Sequence, residues 1–223
     1  MSIYTEQELK TVDLIIDALY RGYKTEKGGT ADPLVQLVGV SRQGGFRYRG
    51  SLSRPTLLVL TSNLAETDWP DELDPTTGRF VYYGDNRHPG RLLHDTPRFG
   101  NQLLKHIFDL AHGGRRSEIP PILIFTSESP GRSFRFRGLA VPGHPAMPAT
   151  DDLVAIWKTD GDERFQNYRA VFTILDEPVI GRDWVHAEGA GNPQPSCAPD
   201  AWQAWVNGGV AKPLLAPKTN LVR

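Results

Sequence analysis

Acidic, aromatic and turn-forming residues converge in residues 69–87, and this stretch has the composition of a binding pocket. Its first half contains Trp69, Asp71 and Glu72 without any lysine or arginine. A turn-forming sequence, Asp-Pro-Thr-Thr-Gly, separates this half from a short β-type run at residues 79–83. We therefore expect the turn to fold the acidic segment back beside the strand.

The chemistry of such a pocket follows from the residue types that meet in it. Trp69 and either Tyr82 or Tyr83 offer two aromatic plates, and Asp71 or Glu72 offers a carboxylate. Two plates and a carboxylate suit a flat ligand with polar edges, such as a nucleobase. The same residues also fit the edge of a core with solvated surface acids, and residue types alone leave both interpretations open.

Basic residues are concentrated on both sides of this stretch, although the net charge of the 223-residue chain is only −1. A window around residues 42–54 contains four arginines and no acid, and residues 79–137 hold ten Lys or Arg against five Asp or Glu. This distribution predicts a basic face for phosphate groups, with an ordinary solvated strand face as the alternative. The expected backbone and groove contacts are Arg42, Gln43, Arg47, Arg49, Arg87, His88 and Arg91.

The elements that must position these side chains can be read from periodicity. Helical spacing of apolar residues predicts helices over residues 6–22, 96–112 and 200–207. About seven β-type runs accompany them, including a continuous apolar run at residues 56–61 and a strictly alternating one at residues 133–138. Because strands outnumber helices without regular alternation, the pattern indicates an α+β fold with a curled, mostly antiparallel sheet.

Several kinds of chemistry are missing from the sequence. Cys197 is the single cysteine, which excludes an internal disulfide and a cysteine-rich zinc site. No metal-nuclease, phosphate-loop, dinucleotide or nucleophile-elbow motif is found, so we assign no catalytic residue, metal or cofactor. No apolar run approaches the about eighteen residues of a membrane span, and no signal-peptide pattern begins the chain. These features favour a cytoplasmic binding module.

The order of motifs resembles the SRA domains that read methylated cytosine, and more closely the N-terminal readers of AspBHI- and MspJI-type modification-dependent restriction endonucleases. The resemblance implies an SRA-like (PUA-like) curled antiparallel β-barrel with flanking helices. It also implies that Trp69 and Tyr82 are the stacking plates and that Asp71 or Glu72 is the acid. The motifs that carry it are Trp69-Pro70-Asp71, Gly78 to Asn86, Gly100-Asn101, Phe136-Arg137-Gly138-Leu139 and Arg164 to Tyr168.

The resemblance also has departures and consequences. The glycine pair and acid that usually follow the Tyr-x-Gly strand are replaced by Asp85-Asn86-Arg87, so the identities of the groove loops cannot be transferred. Residues 1–212 are expected to form the DNA-binding domain and residues 213–223 a linker toward a nuclease domain, with a homo-oligomer of the full-length parent left open. The implied partner is duplex DNA with 5-methylcytosine or 5-hydroxymethylcytosine. The alternatives are a reader of modified bases in RNA and a small hydrolase using His88 or His94.

Overall fold

The computed structural model describes residues 2–41, 44–128 and 132–217. The expected groove residues Arg42 and Gln43, and the last six residues of the expected linker, lie outside these ranges. Within them the chain forms fourteen strands and four α-helices. The strands are β1 (Ile3–Tyr4), β2 (Leu14–Ile15), β3 (Leu19–Tyr20), β4 (Tyr23–Lys24), β5 (Thr30–Ala31), β6 (Phe46–Gly50), β7 (Pro55–Ser62), β8 (Glu72–Asp74), β9 (Arg79–Tyr83), β10 (Ile122–Glu128), β11 (Ser133–Pro142), β12 (Leu153–Asp160), β13 (Glu163–Ile174) and β14 (Val179–Ile180). The helices are α1 (Leu34–Val38), α2 (Gly100–His112), α3 (Arg182–Gly189) and α4 (Asp200–Gly208).

A ten-stranded mixed sheet dominates the described part of the chain. Its main path runs β6-β7-β10-β11-β13-β9-β8, with β12 added to β13 and the N-terminal strands β3 and β1 added at β11. The pair β7–β10 is parallel, because residues 63–121, which include α2, supply the long connection that parallel neighbours need. Most of the described strand pairings are antiparallel, as expected, but they form an open path, and the expected closed barrel is not found among them.

The core lies between the sheet and the helices that flank it. The apolar run predicted at residues 56–61 is the centre of β7, and Leu57, Leu58, Val59 and Leu60 are wholly buried. Helix α2 buries its apolar stripe as its spacing predicts, and α4 covers the core with the rings of two tryptophans, Trp202 and Trp205.

The helix predicted over residues 6–22 is wrong. This segment forms turns and the short strands β2 and β3, which pair with β14 and with β1 and β11. Asp17 has a φ of 60°, which interrupts any helix, and the Tyr20 hydroxyl bonds the Ile15 N–H (2.9 Å) and the Asp13 carbonyl (2.7 Å). Partners from distant strands outweigh the local helical periodicity here.

The first residues of the expected linker lie against the domain. Pro213 forms a bridge with Leu175, and the Leu214 N–H donates to the Ile174 carbonyl (2.8 Å). The Ala216 N–H donates to the Pro75 carbonyl (2.7 Å). Residues 213–216 are therefore bonded to the end of the sheet that lies away from Tyr83 and Gly84.

Candidate nucleic-acid interface

A cleft of about 500 Å³ opens at the end of the sheet where β7 and β9 finish. Its walls come from the start of β6, the end of β7, the end of β9 and the loop that leads from β9 to α2. The side chains that matter for the argument are Phe46, Ser62, Asp71, Tyr82, Asp85, Arg87, Arg91 and Arg98. The cleft therefore combines two carboxylates and an aromatic floor with three arginines.

Asp71 is the acid of the cleft, and it is held in a defined orientation. Its carboxylate Oδ1 accepts the Tyr83 backbone N–H at 2.8 Å, and the side chain is nearly buried. Burial raises the pKa of Asp71, whereas the Tyr83 N–H, the Ser62 hydroxyl and Arg87 favour the ionised form, and Glu66 opposes it. Oδ2 lies 4.0 Å from an Arg87 guanidinium nitrogen, so the carboxylate also faces a cation.

Tyr82 forms the floor of the cleft. Its ring packs against Phe46 and Phe80, both with ring centroids 5.8 Å away. Burial raises the pKa of the Tyr82 hydroxyl, which therefore stays neutral. The hydroxyl lies so close to Gly45 that a β-carbon there would meet it at 2.8 Å, which favours glycine at that position. Tyr82 thus belongs both to the core and to the cleft.

Trp69 and Tyr83 lie on the other side of β9, because successive side chains of a strand point to opposite faces. The Trp69 ring packs against Tyr83 (5.7 Å) and Phe165 (5.9 Å), and Lys158 lies 4.9 Å above it. Trp69 lines a separate cleft of about 350 Å³. The structure therefore does not bring Trp69 and Tyr82 together as two facing plates.

Glu72 and the strand residues Arg47 and Arg49 do not line the cleft. Glu72 is exposed and pairs with Arg79 at 3.2 Å. Arg47, expected to reach phosphates, is 4% exposed and pairs with Asp32 at 2.6 Å. Its guanidinium also donates to the carbonyls of Gly44 (2.9 Å) and Ser41 (3.1 Å), which flank Arg42 and Gln43. Arg49 is half-buried beside the backbone of residues 39 and 189. Arg47 is thus buried, and its donors are bonded inside the protein.

Of the expected contact residues in the loop after β9, Arg87 and Arg91 line the main cleft, and exposed His88 lines the neighbouring one. Arg98 from the same loop also lines the main cleft and was missed at the sequence level. Arg98 stands two residues before the Gly100-Asn101 motif, but only the path of the loop brings it beside Gly44.

A buried network of amides, also missed, anchors this loop. Asn167 donates to the Gly84 carbonyl (3.0 Å) and accepts from Asn101 (3.1 Å) and from the Asn86 N–H (3.3 Å). Asp85 accepts the N–H groups of residues 100 and 101, both at 3.0 Å, and so caps α2. This cap explains why α2 begins at residue 100 and not at 96. The quoted motifs at residues 84–86, 100–101 and 164–168 were the available signal, since all of them meet here.

The hydrolase alternative depends on what surrounds the histidines of the loop after β9. His94 Nε2 lies 3.0 Å from the Tyr168 hydroxyl rather than beside an acid. Among residues 2–41, 44–128 and 132–217, no group of three or more His, Cys, Asp or Glu residues is placed to hold a metal ion. No helix in the same ranges has the length and apolar character needed to cross a bilayer.

Fold and site together define a sheet-based binding domain whose cleft carries an acid, an aromatic floor and arginines at its mouth. The family model described as restriction endonuclease AspBHI N-terminal matches residues 14–217, so the chain belongs to that family. No curated protein sequence matches the chain.

Solved structures agree with this assignment. A chain of the DNA modification-dependent restriction endonuclease AspBHI is 69% identical, with a TM-score of 0.95 over 97% of this chain and 100% of that one. The DNA recognition domain of the cytosine modification-dependent restriction endonuclease LpnPI is 43% identical, with a TM-score of 0.88 over 98% of each chain. The MspJI restriction endonuclease in complex with a 27-mer oligonucleotide is 18% identical and shares the fold, with a TM-score of 0.66 over 92% of this chain and 55% of that one. The chain is therefore homologous to DNA recognition domains of modification-dependent restriction endonucleases.

Proposed function

We propose that this domain binds duplex DNA that contains 5-methylcytosine or 5-hydroxymethylcytosine, and that it does so as the recognition domain of a modification-dependent restriction endonuclease. The modified base leaves the duplex and enters the cleft above Tyr82. There Asp71 accepts a hydrogen bond from the amino group of the base, and Arg87, Arg91 and Arg98 hold the DNA backbone at the mouth.

The observation that carries the proposal is the placement of Asp71 and Tyr82 in one cleft beneath three arginines. Extrusion of a base costs a few kcal/mol, so the cleft must return a comparable free energy. Stacking on an aromatic ring is worth about 1–3 kcal/mol, and a hydrogen bond to an ionised acceptor is stronger than a neutral one. The arginines add a contribution that does not depend on sequence.

The stacking arrangement is revised from the sequence-level interpretation. Tyr82 remains the proposed stacking surface, with Phe46 beside it in the same cleft. Trp69 supports the segment that carries Asp71, because its ring packs on Tyr83 and its indole N–H donates to the Arg87 carbonyl (3.4 Å). Trp69 thus acts on the pocket by holding Asp71 and Arg87 in place.

Direct binding measurements test the proposal. We expect the purified domain to bind a duplex with one modified cytosine at least about tenfold more tightly than the same unmodified duplex, since a good base contact is worth about 1–3 kcal/mol. Methyl and hydroxymethyl duplexes, an unmodified duplex and an RNA duplex with 5-methylcytosine form the comparison set. Equal affinity for modified and unmodified DNA would contradict the proposal, and preference for the RNA would favour the alternative reader.

The preference of the cleft should also depend on pH, through Asp71. An ionised carboxylate only accepts, whereas a neutral one also donates and so tolerates the carbonyl of thymine. Because burial raises the pKa of Asp71, we expect the preference for methylcytosine over mismatched thymine to decline as pH falls, starting above the usual carboxyl range near about 4. The groups that face Asp71 and modulate this range are the Tyr83 N–H, Ser62, Arg87 and Glu66.

The same shift has a defined effect on stability. The folded state binds this proton more tightly than the unfolded state. The destabilisation caused by ionised Asp71 is therefore full above its folded pKa and disappears below its unfolded pKa.

Competition binding over a pH series measures the preference for methylcytosine over thymine, and the Asp71→Asn variant should show a flat profile. A ratio that stays constant in the native protein down to the onset of unfolding would contradict the role of this carboxylate.

A further inference from the structure

We propose that Leu92 is the side chain that enters the base stack when the modified base leaves it. This inference rests on the proposed function and adds a second DNA-binding element to the cleft. Of the large apolar side chains in the described residues, Leu92 is the most exposed, at 79%. It follows directly on Arg91, which lines the cleft.

The backbone around Leu92 is held by the surrounding structure. The Arg91 carbonyl accepts from the Asn86 side chain (3.4 Å), and the Leu93 carbonyl accepts from the Asn101 side chain (2.7 Å). Both asparagines are buried. The Leu92 carbonyl itself accepts the Asp95 N–H (3.0 Å). Three successive backbone carbonyls are therefore hydrogen-bonded, which restrains the loop.

Comparison with the neighbouring Leu93 shows that the exposure of Leu92 is a property of the folded loop. Leu93 packs against the hydrophobic core, while the side chain of Leu92 points to solvent. The bonds from Asn86 and Asn101 hold the backbone on both sides of Leu92. An apolar side chain fixed in water on an anchored loop is suited to transfer into an apolar partner, and the interior of a DNA base stack is such a partner.

The charges around the loop select DNA as the partner. Arg87 and Arg91 line the cleft on the same loop, and Arg98 lines it near the loop's end. Insertion of an apolar wedge partly unstacks a base step and costs a few kcal/mol, and phosphate contacts beside the wedge offset that cost. A basic loop with one rigidly held leucine meets both requirements.

The experiment uses two substrates for each variant. The first is a duplex with a paired 5-methylcytosine, and the second has the same 5-methylcytosine opposite an abasic site, where extrusion is already easy. We expect Leu92→Ala to weaken binding to the paired substrate about tenfold and binding to the abasic substrate less than about twofold, because the wedge is needed only to open the stack. Leu92→Phe, which keeps a large apolar side chain, should bind the paired substrate about as tightly as the wild-type domain does.

The matched control is Leu215→Ala, which changes an exposed leucine at the opposite end of the sheet and should leave both affinities unchanged. An equal loss on both substrates would show a simple groove contact and overturn the wedge. No loss on either would also overturn it and would point to a protein partner for Leu92. Failure of the proposed function is separate, since the wild-type domain would then show no preference for the modified duplex.

Discussion

Replacing Arg47 with alanine should lower the free energy of unfolding by about 3–5 kcal/mol, the usual cost of leaving one partner of a buried ion pair without the other. The side chains of Arg47 and Asp32 are 4% and 5% exposed and lie 2.6 Å apart. Asp32 also accepts the Leu34 N–H at 2.9 Å, which holds the start of α1. Without Arg47, the Asp32 carboxylate stays buried beside that helix with its charge uncompensated.

Two control variants separate the loss of the Arg47–Asp32 ion pair from the simple loss of a positive charge. Arg54→Ala removes an exposed arginine from the same acid-free window and should change stability by less than about 0.5 kcal/mol. The double change of Arg47→Ala with Asp32→Asn should recover part of the loss, because the unpaired charge is removed as well. Chemical denaturation of all three variants gives the comparison. A stability of Arg47→Ala equal to that of Arg54→Ala would contradict the internal role of Arg47.

The contacts of Arg47 also lead to a prediction for DNA binding. Arg47 donates to Ser41 and Gly44, so we expect it to hold these two residues in place rather than to contact phosphates. A lost phosphate contact reduces the dependence of affinity on salt by about one unit of slope. Arg91→Ala should show that reduction, whereas Arg47→Lys, which keeps the charge but not the planar fork, should lose affinity with the slope unchanged. A reduced slope in the folded Arg47→Ala variant would restore its expected role as a phosphate contact.

Replacing Asp71 with asparagine should reduce discrimination between methylcytosine and thymine by about 1–3 kcal/mol, or about fivefold to about 150-fold. The Tyr83 N–H bonds Oδ1 at 2.8 Å and will hold the amide oxygen of the variant in the same place. The amide NH₂ then occupies the position of Oδ2. A donor there repels the amino group of cytosine and attracts the carbonyl of thymine.

Glu72→Gln is the matched control for this change. It alters the adjacent acid by the same chemistry, but Glu72 is exposed and paired with Arg79 outside the cleft. We expect this variant to keep the wild-type preference. The measurement is competition between methylcytosine and mismatched-thymine duplexes, with thermal melting as a check on folding. An unchanged preference in Asp71→Asn would remove the carboxylate from the mechanism.

Local patterns of apolar residues correctly predicted several helices and strands. The apolar run of β7, the alternation of β11 and the apolar stripes of α2 and α4 all matched the structure. In each case the period of the side chains is dictated by the backbone geometry, so burial of one face or both can be read from the chain itself. The segment at residues 6–22 failed because its apolar residues are used by three different strand partners.

The site was predicted in its composition more than in its arrangement. The sequence left Asp71 and Glu72, and likewise Tyr82 and Tyr83, as alternatives. Pairing of β8 and β9 separates each pair onto two faces, with Asp71 and Tyr82 at the cleft. The expected partnership of Trp69 with Tyr82 does not form, since Trp69 packs with Tyr83 and Phe165 behind the strand.

By itself, the sequence determined that a carboxylate, aromatic rings and a turn are adjacent, because these are neighbours along the chain. Only the tertiary structure decided that Arg47 is buried against Asp32, that Arg98 reaches the cleft beside Gly44, and that Asn167 bonds Asn86 and Asn101. These contacts join segments from 15 to 81 residues apart in sequence, as with Arg47 and Asp32 or Asn86 and Asn167. Which segments meet is set by the order of strands in the sheet, and strand order depends on the joint packing of all the faces rather than on any local period.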